Sequence, residues 1–107
     1  MEIREKQIIL ENEIIRVLRE IYDPEIPVNI YDLGLIYDIT IDGAFKAYVL
    51  MTLTTPNCPV AESLPNEVKT RILELEDITD ADVEITFEPP WTMDQLSDEA
   101  RLELGLF

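Results

Sequence analysis

Ile14, Val17, Leu18, Ile21 and Tyr22 recur at intervals of three and four, the spacing that collects apolar side chains on one face of a helix. The pattern predicts a first amphipathic helix running to about Tyr22. The stretch from Ile3 to Leu10 either extends it backwards or precedes a later start capped by Asn12. Its end is set near Asp23, because Pro24 drives the preceding residue away from helical angles.

The loop EIPVNIYDLG, stiffened by Pro27 after Pro24, leads into LIYDITIDGAFKAYVLMTLTT. Leu35, Tyr37, Ile39 and Ile41 alternate along one side of a strand. Asp42-Gly43 is a favoured two-residue type I′ turn, and a second strand follows from about Phe45 to Thr54. Pro56 ends that strand. Cys58 precedes Pro59, which suits the first position of a helix extending to Leu75 with Val68, Ile72 and Leu75 inward. Pro65 interrupts that helix and predicts either a kink or two short helices, the second capped by Ser63.

Val83, Ile85 and Phe87 alternate with Asp82, Glu84 and Thr86, giving a third strand over 81–87 with one buried face. EPPW breaks it. Thr92 and Gln95 have capping-box spacing, and Ser97 can cap a last short helix closed by Gly105. The strand–helix–strand unit from Phe45 to Phe87 should cross over right-handed, making its strands parallel. The expected fold is α/β (α+β) with two layers: a small mixed sheet, hairpin plus third strand, packed with helices in the order α-β-β-α-β-α. At 107 residues the chain suits one domain.

Charge narrows the chemistry. With 23 acidic against 8 basic residues, the formal net charge is −15. Such a surface repels phosphate backbones and anionic membranes, so nucleic acid and membrane partners are not expected; a cationic partner or a metal ion fits better. There is no histidine, which removes imidazole ligands and every mechanism built on a histidine base. The single cysteine, Cys58, forms no internal disulfide and cannot alone hold a structural zinc or a four-thiolate cluster. The N-terminal segment, with charges breaking its apolar run, reads as neither a signal peptide nor a membrane span. A lone reduced thiol then points to the cytoplasm.

Cys58 is the first candidate for chemistry. At a helix N-terminus, free N–H groups and the helix dipole would favour thiolate and lower the pKa from its free value of about 8.5. Thr52, Thr54 and Thr55 bring hydroxyls to its approach. A buried structural cysteine is the competing reading. Asp23-Pro24-Glu25 offers carboxylates nearby, or simply a turn. In Asp32-Leu33-Gly34, Asp32 can bond the following amides and Gly34 can take positive φ. Glu62 reads as a solvated helix carboxylate, and Trp91 as core.

DPEIPVNIYDLGLIYDI, TLTTPNCP, EPPWT and SDEARLELG occur in the order and spacing of a known family: the chain resembles the SufT/PaaD-like iron–sulfur assembly domain, over nearly its whole length from the first helix onward. The resemblance implies a compact α/β domain used in maturation of iron–sulfur proteins, working with assembly factors and client apoproteins, with homodimerisation open. It places the family's functional cysteine on Cys58, its acidic loop on Asp23 and Glu25, and its threonines on Thr54 and Thr55. The chain lacks the cysteine-rich tail of phenylacetate-degradation members and the Gly-rich phosphate loop of ATPase-fused relatives. It therefore reads as a free-standing accessory factor and not an enzyme. Cys58 would contact a cluster, iron or a client thiol transiently, with no tightly bound cofactor. A thiol-dependent enzyme and a pure interaction module, such as a subunit of phenylacetate-oxygenase maturation, are the alternatives.

Overall fold

A computed structural model describes residues 3–23, 26–54 and 63–105. Within them the order is α1 (Ile3–Leu18), β1 (Ile36–Ile41), β2 (Lys46–Met51), α2 (Ser63–Leu73), β3 (Asp80–Ile85), a 3₁₀ turn (Met93–Gln95) and α3 (Asp98–Glu103). The strands form one sheet in the order β1-β2-β3, with β1 antiparallel and β3 parallel to β2. The expected mixed sheet and parallel crossover are present. No described helix is long and apolar enough to cross a membrane.

The two longer helices cover one sheet face. Leu10, Ile14, Val17 and Leu18 of α1 and Leu64, Val68 and Ile72 of α2 are buried with Ile41, Ala47, Val49, Met51 and Ala81 of the sheet. Register explains the layering: Ile39, Val49 and Val83 align across the strands, as do Ile41, Ala47 and Ala81. Side chains alternate faces along a strand, so these rows face the helices.

Three local expectations are corrected. First, α1 begins at Ile3 and ends at Leu18, earlier than Tyr22. Beyond it Glu20 and Ile21 make tighter i→i−3 bonds, and the backbone then pairs with 28–30: Ile30 N–H donates to Ile21 C=O at 2.8 Å, and Tyr22 bridges Asn29. Pairing ends the helix before Pro24 can.

Second, the β1 alternation is interrupted. Ile36 pairs with Met51 but Asp38 with Leu50, so Tyr37 is the extra residue of a bulge, and it leaves the row that Ile39 and Ile41 occupy.

Third, the hairpin is not a two-residue type I′ turn. Phe45 N–H closes on Asp42 C=O at 3.0 Å, and positive φ falls on Phe45, at 63°, not on Gly43. This is a tight turn followed by one left-handed residue. Asp42 dictates it by accepting from Ala44 N–H at 2.9 Å and Lys46 N–H at 3.0 Å, so that β2 starts only at Lys46.

From Ser63 the helix α2 runs unbroken through Pro65 to Leu73, while the expected stretch from Pro59 to Glu62 lies outside the described residues. The last helix matches expectation: Ser97 Oγ accepts from Ala100 N–H at 3.1 Å, and Gly105 has φ of 71°.

Candidate functional site

The loop bearing Asp23 is built by backbone pairing. Besides the Ile30–Ile21 bond, Asp23 N–H donates to Val28 C=O at 3.4 Å. The Asp23 side chain is buried, 4% exposed, and its Oδ1 accepts from Ile26 N–H at 3.1 Å. Asp23 therefore lies beyond the end of α1, which stops at Leu18. It is held inside a short paired loop.

That loop is tied to the segment carrying the threonines. Leu35 N–H donates to Ile30 C=O at 3.2 Å, and Thr52 N–H to Leu35 C=O at 2.8 Å. Thr52 is fully buried, with a long contact from Oγ1 to Leu53 C=O at 3.5 Å. Its hydroxyl is thus a packing group and not a donor held out to a ligand. Thr54 differs. Its Oγ1 is covered from solvent and has no hydrogen-bond partner among the described residues, a state that costs free energy when no ligand or neighbour meets it. Three successive backbone links, Ile21–Ile30, Ile30–Leu35 and Leu35–Thr52, thus bring the Asp23 loop and the Thr54 segment to one end of the sheet. That end carries the C-termini of the parallel strands β2 and β3, where open α/β sheets bind ligands. Cys58, Thr55, Glu25 and Glu62 lie outside the described residues.

A second side-chain pair, not anticipated as such, stiffens the same loop. Asn29 Oδ1 accepts from Asp32 N–H at 2.9 Å, while Asn29 Nδ2 donates to Asp32 Oδ2 at 2.7 Å. Both residues are buried. Asp32 thus bonds backwards to Asn29 and not forwards to the following amides; the Asn-x-x-Asp spacing is the signal that could have shown it. Arg19 Nη2 stands 3.9 Å from Asp32 Oδ1.

From outside, residues 89–97 clamp this loop. Trp91 Nε1–H donates to Leu33 C=O at 2.6 Å, and Ser97 N–H to Asp32 C=O at 2.8 Å. Tyr37, freed by the bulge, donates to Pro89 C=O at 2.7 Å and accepts from Gln95 Nε2 at 3.1 Å. Gly34 has φ of 82°, and a Cβ there would fall 2.3 Å from Gln95 C=O, so only glycine fits. Trp91 packs on the core as expected, but its indole N–H gives it a latch role as well.

Comparison with known proteins identifies the family and the fold. The family model described as iron-sulfur cluster assembly protein matches residues 11–85. A protein of Porphyromonas gingivalis named Fe-S protein maturation auxiliary factor is 46% identical over 89% of this chain and 90% of its own length. The Fe-S protein maturation auxiliary factor SufT of Staphylococcus aureus is 38% identical over 80% of this chain and 98% of its own. Among solved structures, a domain of unknown function from Bacillus anthracis superposes with a TM-score of 0.88 at 31% identity, covering 97% of this chain and 99% of that one. On a match spanning most of its sheet and helices, the chain belongs to the iron–sulfur cluster assembly protein family.

Proposed function

We propose that this protein is an accessory factor in the maturation of iron–sulfur proteins, working with assembly factors and client apoproteins in the cytoplasm. Its relatives named Fe-S protein maturation auxiliary factors match along nearly their whole length, which supports an auxiliary and non-catalytic role. Within the site, the observation that carries the reading is the covered, unpartnered hydroxyl of Thr54, on the segment that leads to the chain's one cysteine. In this reading the hydroxyl is a donor waiting for a thiolate or for cargo.

Cys58 contacts a cluster, an iron or a client thiol transiently. In this reading Asp23, Glu25, Thr54 and Thr55 position that contact. A cluster is cargo here and not a resident cofactor: a whole cluster ordinarily takes four protein thiolates, and one chain supplies one. The missing ligands come from a partner or client.

The test is Cys58→Ser in a cell depleted of the native gene, read as the activity of cluster-dependent enzymes. Activity at the level of the null is expected. Full activity would mean that the thiol is idle and the protein acts as a scaffold. Anaerobic reconstitution of the purified monomer is expected to yield no stable cluster.

A further inference from the structure

Among the described residues, the helices cover only one side of the sheet. On the other, register aligns Asp38 with Leu50 and Glu84, Thr40 with Tyr48 and Asp82, and Lys46 with Asp80. Asp38, Thr40, Asp80, Asp82 and Glu84 are exposed, Tyr48 is 40% exposed, and Leu50 is partly buried. A depression of about 570 Å³ is lined by Asp38, Tyr48, Leu50, Asp82 and Glu84 together with Val49 and Val83. The face therefore has an aromatic and aliphatic stripe along its middle strand, flanked by carboxylates on both outer strands.

One cation of the chain already shows how this face takes positive charge. Lys46 Nζ lies 3.0 Å from Asp82, 3.6 Å from Asp80 and 5.2 Å from the centre of the Tyr48 ring. It serves one end only. Among the described residues Asp38 and Glu84, at the other end, have no ion-pair partner. No three acidic or thiol side chains among the described residues converge closely enough to hold a metal ion, so the face is a surface and not a cation site. A second copy would oppose carboxylates to carboxylates, and a phosphate-bearing partner would meet the same repulsion.

We propose that this uncovered sheet face docks a lysine- and arginine-bearing segment of a partner protein, its cations meeting Asp38, Glu84 and Asp82 and its apolar part lying over Tyr48 and Leu50. Aromatic anchors within a charged rim are the usual anatomy of such contacts. The proposal makes no use of Cys58.

The test is titration of the whole protein, at low salt, with a capped oligolysine peptide carrying one leucine, followed by amide chemical shifts. Shifts are expected at Asp38, Tyr48, Leu50, Asp82 and Glu84. Asp38→Asn with Glu84→Gln, both exposed and free of ion pairs, is expected to weaken binding about tenfold. Glu5→Gln with Glu99→Gln makes the same charge change elsewhere and is expected to leave the affinity within about twofold. Binding should survive Cys58→Ser, so this surface and the thiol reading fail separately. Shifts scattered over the acidic surface, equal losses in both double variants, absence of binding, or shifts on this face that depend on protein concentration alone (a second copy) would each overturn the proposal.

Discussion

Asn29 and Asp32 show what two buried polar residues do when each satisfies the other. Replacing Asn29 with alanine leaves the Asp32 carboxylate and N–H without that partner in a buried place. The expected loss is about 1–3 kcal/mol in urea unfolding, the scale of an unmet buried group. Asn29→Asp should cost more, because it sets a second carboxylate against the first. Gly34→Ala meets both a backbone oxygen and an unfavourable φ, so the expected outcome is a marked fall in melting temperature or no folded protein. At this scale the sequence was legible wherever local chemistry decides. Gly34's positive φ and Ser97's cap could be read from residue type and spacing. The direction of Asp32's bond and the burial of Asp23 could not, because both depend on the pairing of 21–23 with 28–30, set by residues on either side of a proline-rich turn. Cys58, the centre of the proposed site, was singled out by its place in a motif and lies outside the described residues.

Elements tell a similar story. The periodicity of α1 and β3 and the parallel crossover were plain from apolar spacing. The hairpin turn was misplaced because Asp42's carboxylate, bonding two later amides, outweighs the local preference of Asp-Gly for a two-residue loop. Those amide bonds, that to Lys46 N–H foremost, hold Asp42 below the ordinary carboxylate value of 3.8. Bonding to Ala81 N–H lowers Asp80, and the hydrogen bond to Asp82 raises Lys46 above 10.5. The signs follow by linkage. A lowered carboxylate stabilises the fold above its unfolded pKa, and this is lost as pH falls through the lower folded value. A raised ammonium stabilises below 10.5, and this is lost as pH climbs through its folded value. Asp42→Asn should therefore be less stable than wild type at pH 7, with the gap closing below 3.8; thermal melts across pH measure it. In α2, which runs unbroken from Ser63 through Pro65 to Leu73, Pro65→Ala should change stability by no more than about 1 kcal/mol. A gain of several times that would mean the helix had been strained by it.

For the whole molecule, charge dominates. At −15 the chain repels itself, so raising sodium chloride from low to physiological strength should raise the melting temperature, as screening shortens the reach of that repulsion to about 8 Å. A fall instead would mean that surface pairs such as Lys6–Asp77 and Lys46–Asp82 outweigh the excess. The clamp by residues 89–97 has its own reach. The family match stops at Ile85, whereas the groups that hold Leu33 and Asp32 lie beyond it. Breaking the Trp91–Leu33 bond should therefore loosen the acidic loop while the helix-covered core stays intact. A substitution well outside the loop can in this way set how readily the loop opens.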